Sequence, residues 1–215
     1  EFIGWVLQRG LQVRHLIVGD DFRFGQGRRG DFALLQQTGL RSGFGVEAIE
    51  AVSIEGVRVS SSAVRQALAA GDMTRATALL GRPYMIDGRV VHGDKRGRQL
   101  GFSTANIHIR HLPLPMTGVF AVEVDGLEKR ALPGAANLGV RPTLGGERPL
   151  LEVHLFDFDR LIYGAHLSVR FLHKLREEQR FPDLDALKAQ IARDVGLAKA
   201  FFQRRGTENA EGRRE

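Results

Sequence analysis

Residues 93–106, which read GDKRGRQLGFSTAN, combine glycines, cations and oxygen ligands in one short segment. Glycines allow the backbone to approach an anion closely, and the lysine and arginine side chains between them supply positive charge. Thr104 and Asn106, two positions apart on an extended segment, can point toward the same cation. The segment therefore predicts a phosphate and magnesium site. A solvated hairpin turn, with structural hydrogen bonds from Thr104 and Asn106, is the alternative.

Glu152 is the candidate proton acceptor. Its neighbours alternate as in a strand, which places Glu152 on one face with His154, Phe156 and Phe158. A carboxylate on a partly apolar face can have a raised pKa, which suits the removal of a proton from a hydroxyl group. A salt-bridged surface glutamate is the alternative. The seven histidines show no compact spacing of the kind that ligates zinc, so no zinc site is predicted.

The composition limits the class of protein. With 215 residues, 43% of them apolar, the chain can form one large or two small globular domains. It has no cysteine, which excludes disulfides and thiolate chemistry, and no apolar run of membrane-spanning length. Its net charge of +6 favours anionic partners. We expect a cytoplasmic protein that does not bind membranes. Because Glu1 opens directly into an apolar pattern, we also expect that the natural beginning is missing.

The first eighty residues have an α/β pattern. Residues 13–18 predict a buried strand that ends at Gly19, and Asp31 is placed to cap a helix over residues 32–38 that Gly39 closes. Further elements follow this helix: a strand at 46–49, a helix after the serines at 60–62, and a short helix capped by Asp72 and stopped by Gly81.

From residue 84 the pattern changes to short β-rich runs separated by glycine and proline, which predicts a closed all-β domain. Asp183 can then cap a long helix with one apolar face. The predicted strands are residues 85–91, 119–124, 134–138, 150–157 and 167–171, and the apolar helix face comprises Leu184, Leu187, Ile191 and Val195.

The segment GRQLGFSTAN at 97–106 resembles the GRxLGFPTAN signature of riboflavin kinases, with Ser103 where that family usually has proline. The resemblance extends to LGRPY at 80–84, NLGVRPT at 137–143, EVHLFDF at 152–158 and LREEQRF at 175–181. It implies a six-stranded antiparallel barrel with a C-terminal helix, and a phosphotransferase that converts riboflavin to FMN with ATP and Mg²⁺. FMN and FAD are then products rather than prosthetic groups.

The resemblance to riboflavin kinases also implies the roles of individual residues. Thr104 and Asn106 are the implied magnesium ligands, and Glu152 is the implied catalytic base. The implied flavin-binding residues are Arg176, Glu178 and Phe181. The implied ATP-binding residues are His92, Gly93, Lys95, Gly97, Arg98, Leu100, Gly101 and Phe102, although His92 read from the sequence alone is equally well a structural turn residue.

A second resemblance covers the first part of the chain. Segments 19–25 and 59–65 are similar to the FMN adenylyltransferase domain of bifunctional bacterial FAD synthetases, a nucleotidyltransferase. The residues that carry this likeness are Gly19, Asp21, Phe22, Phe24, Gly25, Ser60, Ser61, Ser62 and Arg65. Free amides, hydroxyls and an arginine at a helix N-terminus form an anion site. The HxGH-like motif of that domain is absent, so we expect the chain as given to make FMN but essentially no FAD.

These patterns divide the chain into a partial FMN adenylyltransferase domain at 1–81, a riboflavin kinase domain at 82–205 and a disordered tail at 206–215. The expected partners are riboflavin, ATP and FMN, with no nucleic acid and no protein partner inferred. Two other functions remain open, which are a barrel that binds single-stranded nucleic acid and a flavin-binding module without catalysis. Riboflavin-dependent consumption of ATP separates the predicted kinase from both.

Overall fold

The computed structural model describes residues 1–93, 102–109, 113–143 and 146–211, with the backbone alone at 141–143, 146–148 and 208–211. The chain divides into two compact units, residues 1–59 and residues 60–215. No helix within the described residues is long and apolar enough to cross a membrane.

The first unit contains a π-helix, one α-helix and two small sheets. Strands β1 (His15–Gly19) and β2 (Gly45–Ile49) pair in parallel and are connected by helix α1 (Phe32–Ser42), which confirms the α/β pattern. Strands β3 (Ser53–Ile54) and β4 (Val57–Arg58) form a short antiparallel pair. The π-helix spans Ile3–Gly10, and a short 3-10 helix spans Gln26–Arg28.

Helix α1 begins where the sequence predicts and ends later. The Asp31 carboxylate accepts a hydrogen bond from the Leu34 amide at 2.9 Å, the geometry of an N-cap. The predicted stop at Gly39 is wrong, because the helix continues to Ser42 and ends at Gly43, whose φ is +77°. Gly39 is instead a contact point: a Cβ there would lie 2.5 Å from the Phe44 carbonyl oxygen. Glycine permits this close approach of the helix to the segment that leads into β2.

The second unit opens with helices α2 (Ser61–Ala69) and α3 (Met73–Leu80). The Ser60 hydroxyl accepts from the Ala63 amide at 3.1 Å, and the Asp72 carboxylate accepts from the Arg75 amide at 2.9 Å. Gly81 ends α3 in the left-handed conformation, with φ +69°. Both helices belong to the same compact unit as the residues after 84.

Six strands form a closed antiparallel barrel, as predicted. It closes because β10 pairs with both β5 and β7. The sequence pattern missed β6, a strand of only four residues that follows directly on the glycine loop. The strands are β5 (Tyr84–Val91), β6 (Ala105–His108), β7 (Gly118–Asp125), β8 (Leu132–Thr143), β9 (Gly146–Leu155) and β10 (His166–Arg176), in the order β10-β5-β6-β9-β8-β7.

Helix α4 (Leu184–Glu211) packs on the outside of the barrel. The Asp183 carboxylate caps it by accepting from the Ala186 amide at 2.7 Å. Ala198 is fully buried in a cluster with Ala121, Ala135 and Phe156 of the barrel unit. The tail predicted to be disordered from residue 206 lies partly in this helix, which runs to Glu211. Each residue added to an existing helix gains a hydrogen bond without needing an apolar face. The polar composition of the tail therefore did not predict that the helix continues into it.

Candidate functional site

Three polar side chains stand in one row across three neighbouring strands of the barrel. Asn106 of β6 lies opposite Glu152 of β9, and Glu152 lies opposite Asn137 of β8. Directly opposed residues of an antiparallel pair project from the same face with Cβ atoms about 5 Å apart. The register therefore brings a predicted metal ligand and the predicted base side by side. The spacing of these residues along the sequence does not predict this proximity.

Two cavities meet at this row. Cavity A has a volume of about 240 Å³ and includes Gly93, Asn106 and the loop at 158–163 in its lining. Cavity B has a volume of about 230 Å³ and includes Glu152, Asn137 and the residues before α4. Thr104 lines both cavities. A group bound in cavity A can thus contact Thr104 and Asn106. Glu152 lies nearby, on the wall of cavity B.

His154 holds the segment that carries Thr104. Its Nδ1 atom lies 2.9 Å from the Ser103 carbonyl oxygen, which as an acceptor requires the proton on Nδ1. The Phe102 ring meets the His154 ring edge-on, with the ring centroids 5.6 Å apart. The carbonyl of residue 103 remains available whichever side chain stands there. In this chain, the hydrogen bond anchors a segment in which Ser103 lacks the fixed φ of proline.

Gly93 makes space for Asn106. A Cβ at Gly93 would overlap the side-chain amide of Asn106, so only glycine leaves that amide in place. The other predicted ATP-binding residues of the glycine loop, Lys95, Gly97, Arg98, Leu100 and Gly101, lie outside the described residues. Among the predicted ATP-binding residues of this segment, Gly93 and Phe102 are thus the two that the structure describes.

His92 contacts cavity A through Tyr163, one of the residues that line it. Its ring stacks on Tyr163 with centroids 4.0 Å apart and planes inclined by 27°. Tyr163 belongs to the loop that follows β9, which also contributes Phe158, Asp159, Arg160, Leu161 and Ile162 to cavity A. Sequence reasoning missed this loop as part of the site. The prediction that Phe158 shares a strand face with Glu152 is wrong, because β9 ends at Leu155 and Phe158 lies in the loop that follows.

The guanidinium of Arg176, a predicted flavin-binding residue, is engaged by the protein itself. It donates to both carboxylate oxygens of Asp194 in α4, at 2.9 and 2.7 Å, and to the Glu177 carbonyl at 2.8 Å. Asp194 is 4% exposed and also accepts from Gln190. Arg176 and Phe181 both line cavity B, with the guanidinium 5.8 Å from the Phe181 ring centroid. Arg176 thus fastens the end of β10 to the helix that forms a wall of cavity B.

Glu178, another wall residue of cavity B, has a perturbed acidity. Burial raises the pKa of its carboxyl group above the usual value, against the opposing effects of a hydrogen bond from Asn137 and the charge of Arg176. Gly139 accommodates the carboxylate, since a Cβ at that position would overlap it. Asn137 therefore connects Glu178 to the polar row that contains Glu152.

The raised pKa of Glu178 predicts a pH-dependent stability. Between pH 4.5 and the pKa in the folded state, the folded protein binds more protons than the unfolded chain. The unfolding free energy should therefore fall as the pH rises through this window. Glu178→Gln removes the charged form, so its stability relative to the parent chain should increase from pH 4 to pH 7 in urea unfolding. The matched Glu177→Gln, which removes an exposed partner of Lys174, should not show that increase.

Neutral oxygens at the boundary of the cavities suit a hard cation that arrives with phosphate. Within the described residues, no three His, Asp or Glu side chains converge on a metal position. Thr104 and Asn106 can supply two ligands, and Mg²⁺ commonly takes one or two protein ligands with phosphate oxygens and water completing its shell. The donor set therefore fits a metal–nucleotide complex better than a resident metal.

The residues of the second resemblance occur in both units. In the first unit, Phe22 and Phe24, which follow Gly19 closely in the sequence, stack with ring centroids 5.8 Å apart. Asp21 forms an ion pair with Arg58 at 3.1 Å. In the second unit, Ser60 caps α2, and Ser61, Ser62 and Arg65 lie in its first turns. The N-cap and first turn leave free amides, as the predicted anion site requires.

Comparison with known proteins agrees with this architecture. A family model described as riboflavin kinase matches residues 80–202, and one described as FAD synthetase matches residues 1–63. The chain is 53% identical over 201 residues to the bifunctional riboflavin kinase/FMN adenylyltransferase of Escherichia coli (strain K12), and 52% identical over 201 residues to that of Pseudomonas fluorescens. These alignments cover 94% and 93% of this chain and 64% of each relative.

A solved structure described as a macrolide-efflux protein from Streptococcus pneumoniae is 30% identical, with a TM-score of 0.71 over 93% of this chain and 64% of that chain. The chain thus spans less than two thirds of the length of each of these three relatives. The riboflavin kinase model covers more than half of the chain and includes the whole barrel, with both cavities and the polar row between them. This chain belongs to the riboflavin kinase family.

Proposed function

We propose that the barrel unit phosphorylates riboflavin to FMN with ATP and a divalent cation, Mg²⁺ in particular. The observation that carries the proposal is the boundary between the two cavities, where Thr104 lines both and Asn106 lies opposite Glu152. Two substrates in separate cavities that meet at a base and a pair of oxygen ligands are what a phosphotransferase requires. We assign cavity A to ATP and cavity B to riboflavin.

The chemistry follows from these positions. Glu152 accepts the proton of the riboflavin 5′-hydroxyl as its oxygen attacks the γ-phosphorus of ATP, and ADP leaves. Thr104 and Asn106 hold the cation, which when bound neutralises charge on the phosphate oxygens. His154 keeps the Phe102–Thr104 segment in place through the Ser103 carbonyl. Arg176 acts through Asp194, as a positioning residue that holds α4 against cavity B.

The direct experiment supplies the chain with riboflavin, ATP and MgCl₂ and separates the flavins by chromatography. FMN and ADP should appear in equal amounts, and ADP should not form without riboflavin. A barrel that binds nucleic acid, or a flavin-binding module without catalysis, would give no riboflavin-dependent ADP. The absence of riboflavin-dependent ADP would therefore contradict the proposal.

Replacing Thr104 by Val tests the metal assignment. The substitution keeps the branched shape and removes one ligand oxygen, so we expect the KM for Mg–ATP to rise about tenfold, a typical effect of losing one charge-assisted contact. Ser103→Ala is the matched control, because the observed contact of Ser103 is through its backbone carbonyl. A Thr104→Val chain with an unchanged dependence on MgCl₂ concentration would remove Thr104 from the metal site.

We also propose that residues 1–59, with the start of α2, belong to an FMN adenylyltransferase domain. The FAD synthetase model over residues 1–63 and the bifunctional relatives support this assignment. The stacked Phe22 and Phe24 rings offer a surface for the flavin, and the α2 N-terminus with Arg65 offers donors for phosphate. A lower FMN affinity of the Phe24→Ala chain than of the parent chain, with an unchanged rate of riboflavin phosphorylation and measured by quenching of flavin fluorescence, would support the role of Phe24. An unchanged FMN affinity would contradict it.

A further inference from the structure

A third cavity, cavity C, lies in the second unit between α3, β10 and α4. Its volume is about 440 Å³, and it shares no lining residue with cavity A or cavity B. Helix α3 contributes Met73, Thr74 and Thr77 to its wall, and β10 contributes Leu172 and His173. Neither the kinase chemistry nor the adenylyltransferase resemblance uses any of these residues.

Both helices turn one face toward cavity C. Phe201, Arg204 and Arg205 on α4 are spaced by three and four residues, which places them on adjacent turns of one helix face. Thr74 and Thr77 on α3 are spaced by three residues and lie one above the other. One helix therefore contributes arginines to the lining of the cavity, and the other contributes hydroxyl-bearing residues.

The charge of cavity C is positive. No carboxylate is among its lining residues. Arg205 pairs with Glu123 at 3.1 Å, and that carboxylate is shared with Arg170 at 3.4 Å. In the part of the chain that the structure describes, the Arg204 side chain makes no ion pair or hydrogen bond. The five N–H donors of the Arg204 guanidinium are thus available to a ligand.

Apolar and aromatic side chains also line cavity C. The His173 and Phe201 rings stack with centroids 5.2 Å apart and planes inclined by only 6°. Met73 is buried, and Leu172 is half-buried beside this stack. A ligand whose anionic group contacts the arginine can therefore place an apolar or aromatic group against these side chains.

We propose that cavity C binds a small organic phosphate. Its phosphate group lies between the Arg204 guanidinium and the Thr74 and Thr77 hydroxyls, and its organic group lies against the His173–Phe201 stack. The donors stand on two different helices, so they suit the tetrahedral set of phosphate oxygens better than the two coplanar oxygens of a carboxylate. The site is separate from both kinase cavities, and it does not depend on riboflavin phosphorylation.

Phenyl phosphate is a suitable probe, because it joins a phosphate to one aromatic ring. The chain, isotopically labelled at histidine and held at constant pH, is titrated while the imidazole signals are followed by NMR. The His173→Gln variant identifies the signal of His173. We expect that signal to shift saturably with phenyl phosphate, and to do so equally when the kinase site is filled with Mg–ADP. A His173 signal that does not move would overturn the proposal.

Two arginines of α4 provide the matched pair of variants. Arg204→Gln should lower the affinity of cavity C for phenyl phosphate about tenfold or more, since a charge-assisted contact is lost. Arg193 is exposed and does not line the cavity, so Arg193→Gln should leave this affinity unchanged. Benzoate and inorganic phosphate should each bind more weakly than phenyl phosphate. Equal weakening by both variants, or binding of benzoate as tight as that of phenyl phosphate, would contradict the assignment.

Discussion

Replacing Glu152 by Gln should lower the turnover of riboflavin phosphorylation by about 10²- to 10⁴-fold, the usual contribution of a general base. The amide keeps the shape of the side chain but cannot take the proton of the attacking hydroxyl. The KM values for riboflavin and Mg–ATP should change little, because the substitution leaves the walls of both cavities intact. Initial rates of FMN formation at saturating substrates measure the effect.

The control for this substitution is Glu177→Gln, the same chemical change at an exposed position that lines neither cavity. It should keep near-normal turnover. Thermal unfolding of both variants separates a catalytic loss from a loss of folding, because Glu152 lies in the middle of a paired strand. If the Glu152→Gln chain folds normally and phosphorylates riboflavin at the parental rate, Glu152 is not the base.

Replacing Asp194 by Ala should destabilise the barrel unit by about 3–5 kcal/mol, the typical cost of removing one partner of a buried ion pair. Asp194 is 4% exposed and accepts both hydrogen bonds of the Arg176 fork. Without it, the guanidinium loses its two acceptors on α4, and the helix loses its attachment to the end of β10. Urea unfolding at pH 7 measures the change in unfolding free energy.

A double-mutant cycle with Arg176→Met isolates the pair from the packing of each residue. The double variant should lose less unfolding free energy than the two single variants lose in sum, because it leaves no uncompensated charge. Glu128→Ala, which removes an exposed partner of Arg160, is the contrasting control and should cost no more than about 1 kcal/mol. If Asp194→Ala also lowers the unfolding free energy by no more than about 1 kcal/mol, α4 does not depend on this ion pair.

The KM for riboflavin should rise in the Asp194→Ala chain, since α4 forms a wall of cavity B.

The sequence predicted the beginnings of the helices, and the structure confirms them. Asp31, Ser60, Asp72 and Asp183 each cap a helix where the pattern placed one, because the capping hydrogen bond spans only three residues. The predicted end of α1 failed because a distant contact outweighed a local preference. Gly39 looks like a helix end but meets the segment before β2 instead.

The candidate site divides in the same way. The residue types and the short spacing of Thr104 and Asn106 indicated a metal–phosphate site, and resemblance supplied the role of Glu152. The proximity of Asn106 to Glu152 depends on the register between β6 and β9, which pairs residues 46 positions apart in the sequence. The roles of His154, Tyr163 and Asp194 depend on contacts with distant segments, and spacing along the chain contains no signal for them.

The sequence by itself determined the helix caps and the family, and it predicted a β-rich second part and a metal–phosphate site. These depend on interactions within a few residues, or on motifs kept intact along the chain. Only the tertiary structure decided that Thr104 stands between two cavities, that Arg176 is occupied by Asp194, and that two helices and β10 enclose cavity C. Barrel closure and helix packing bring these residues together, and such long-range pairing depends on the whole core rather than on local sequence.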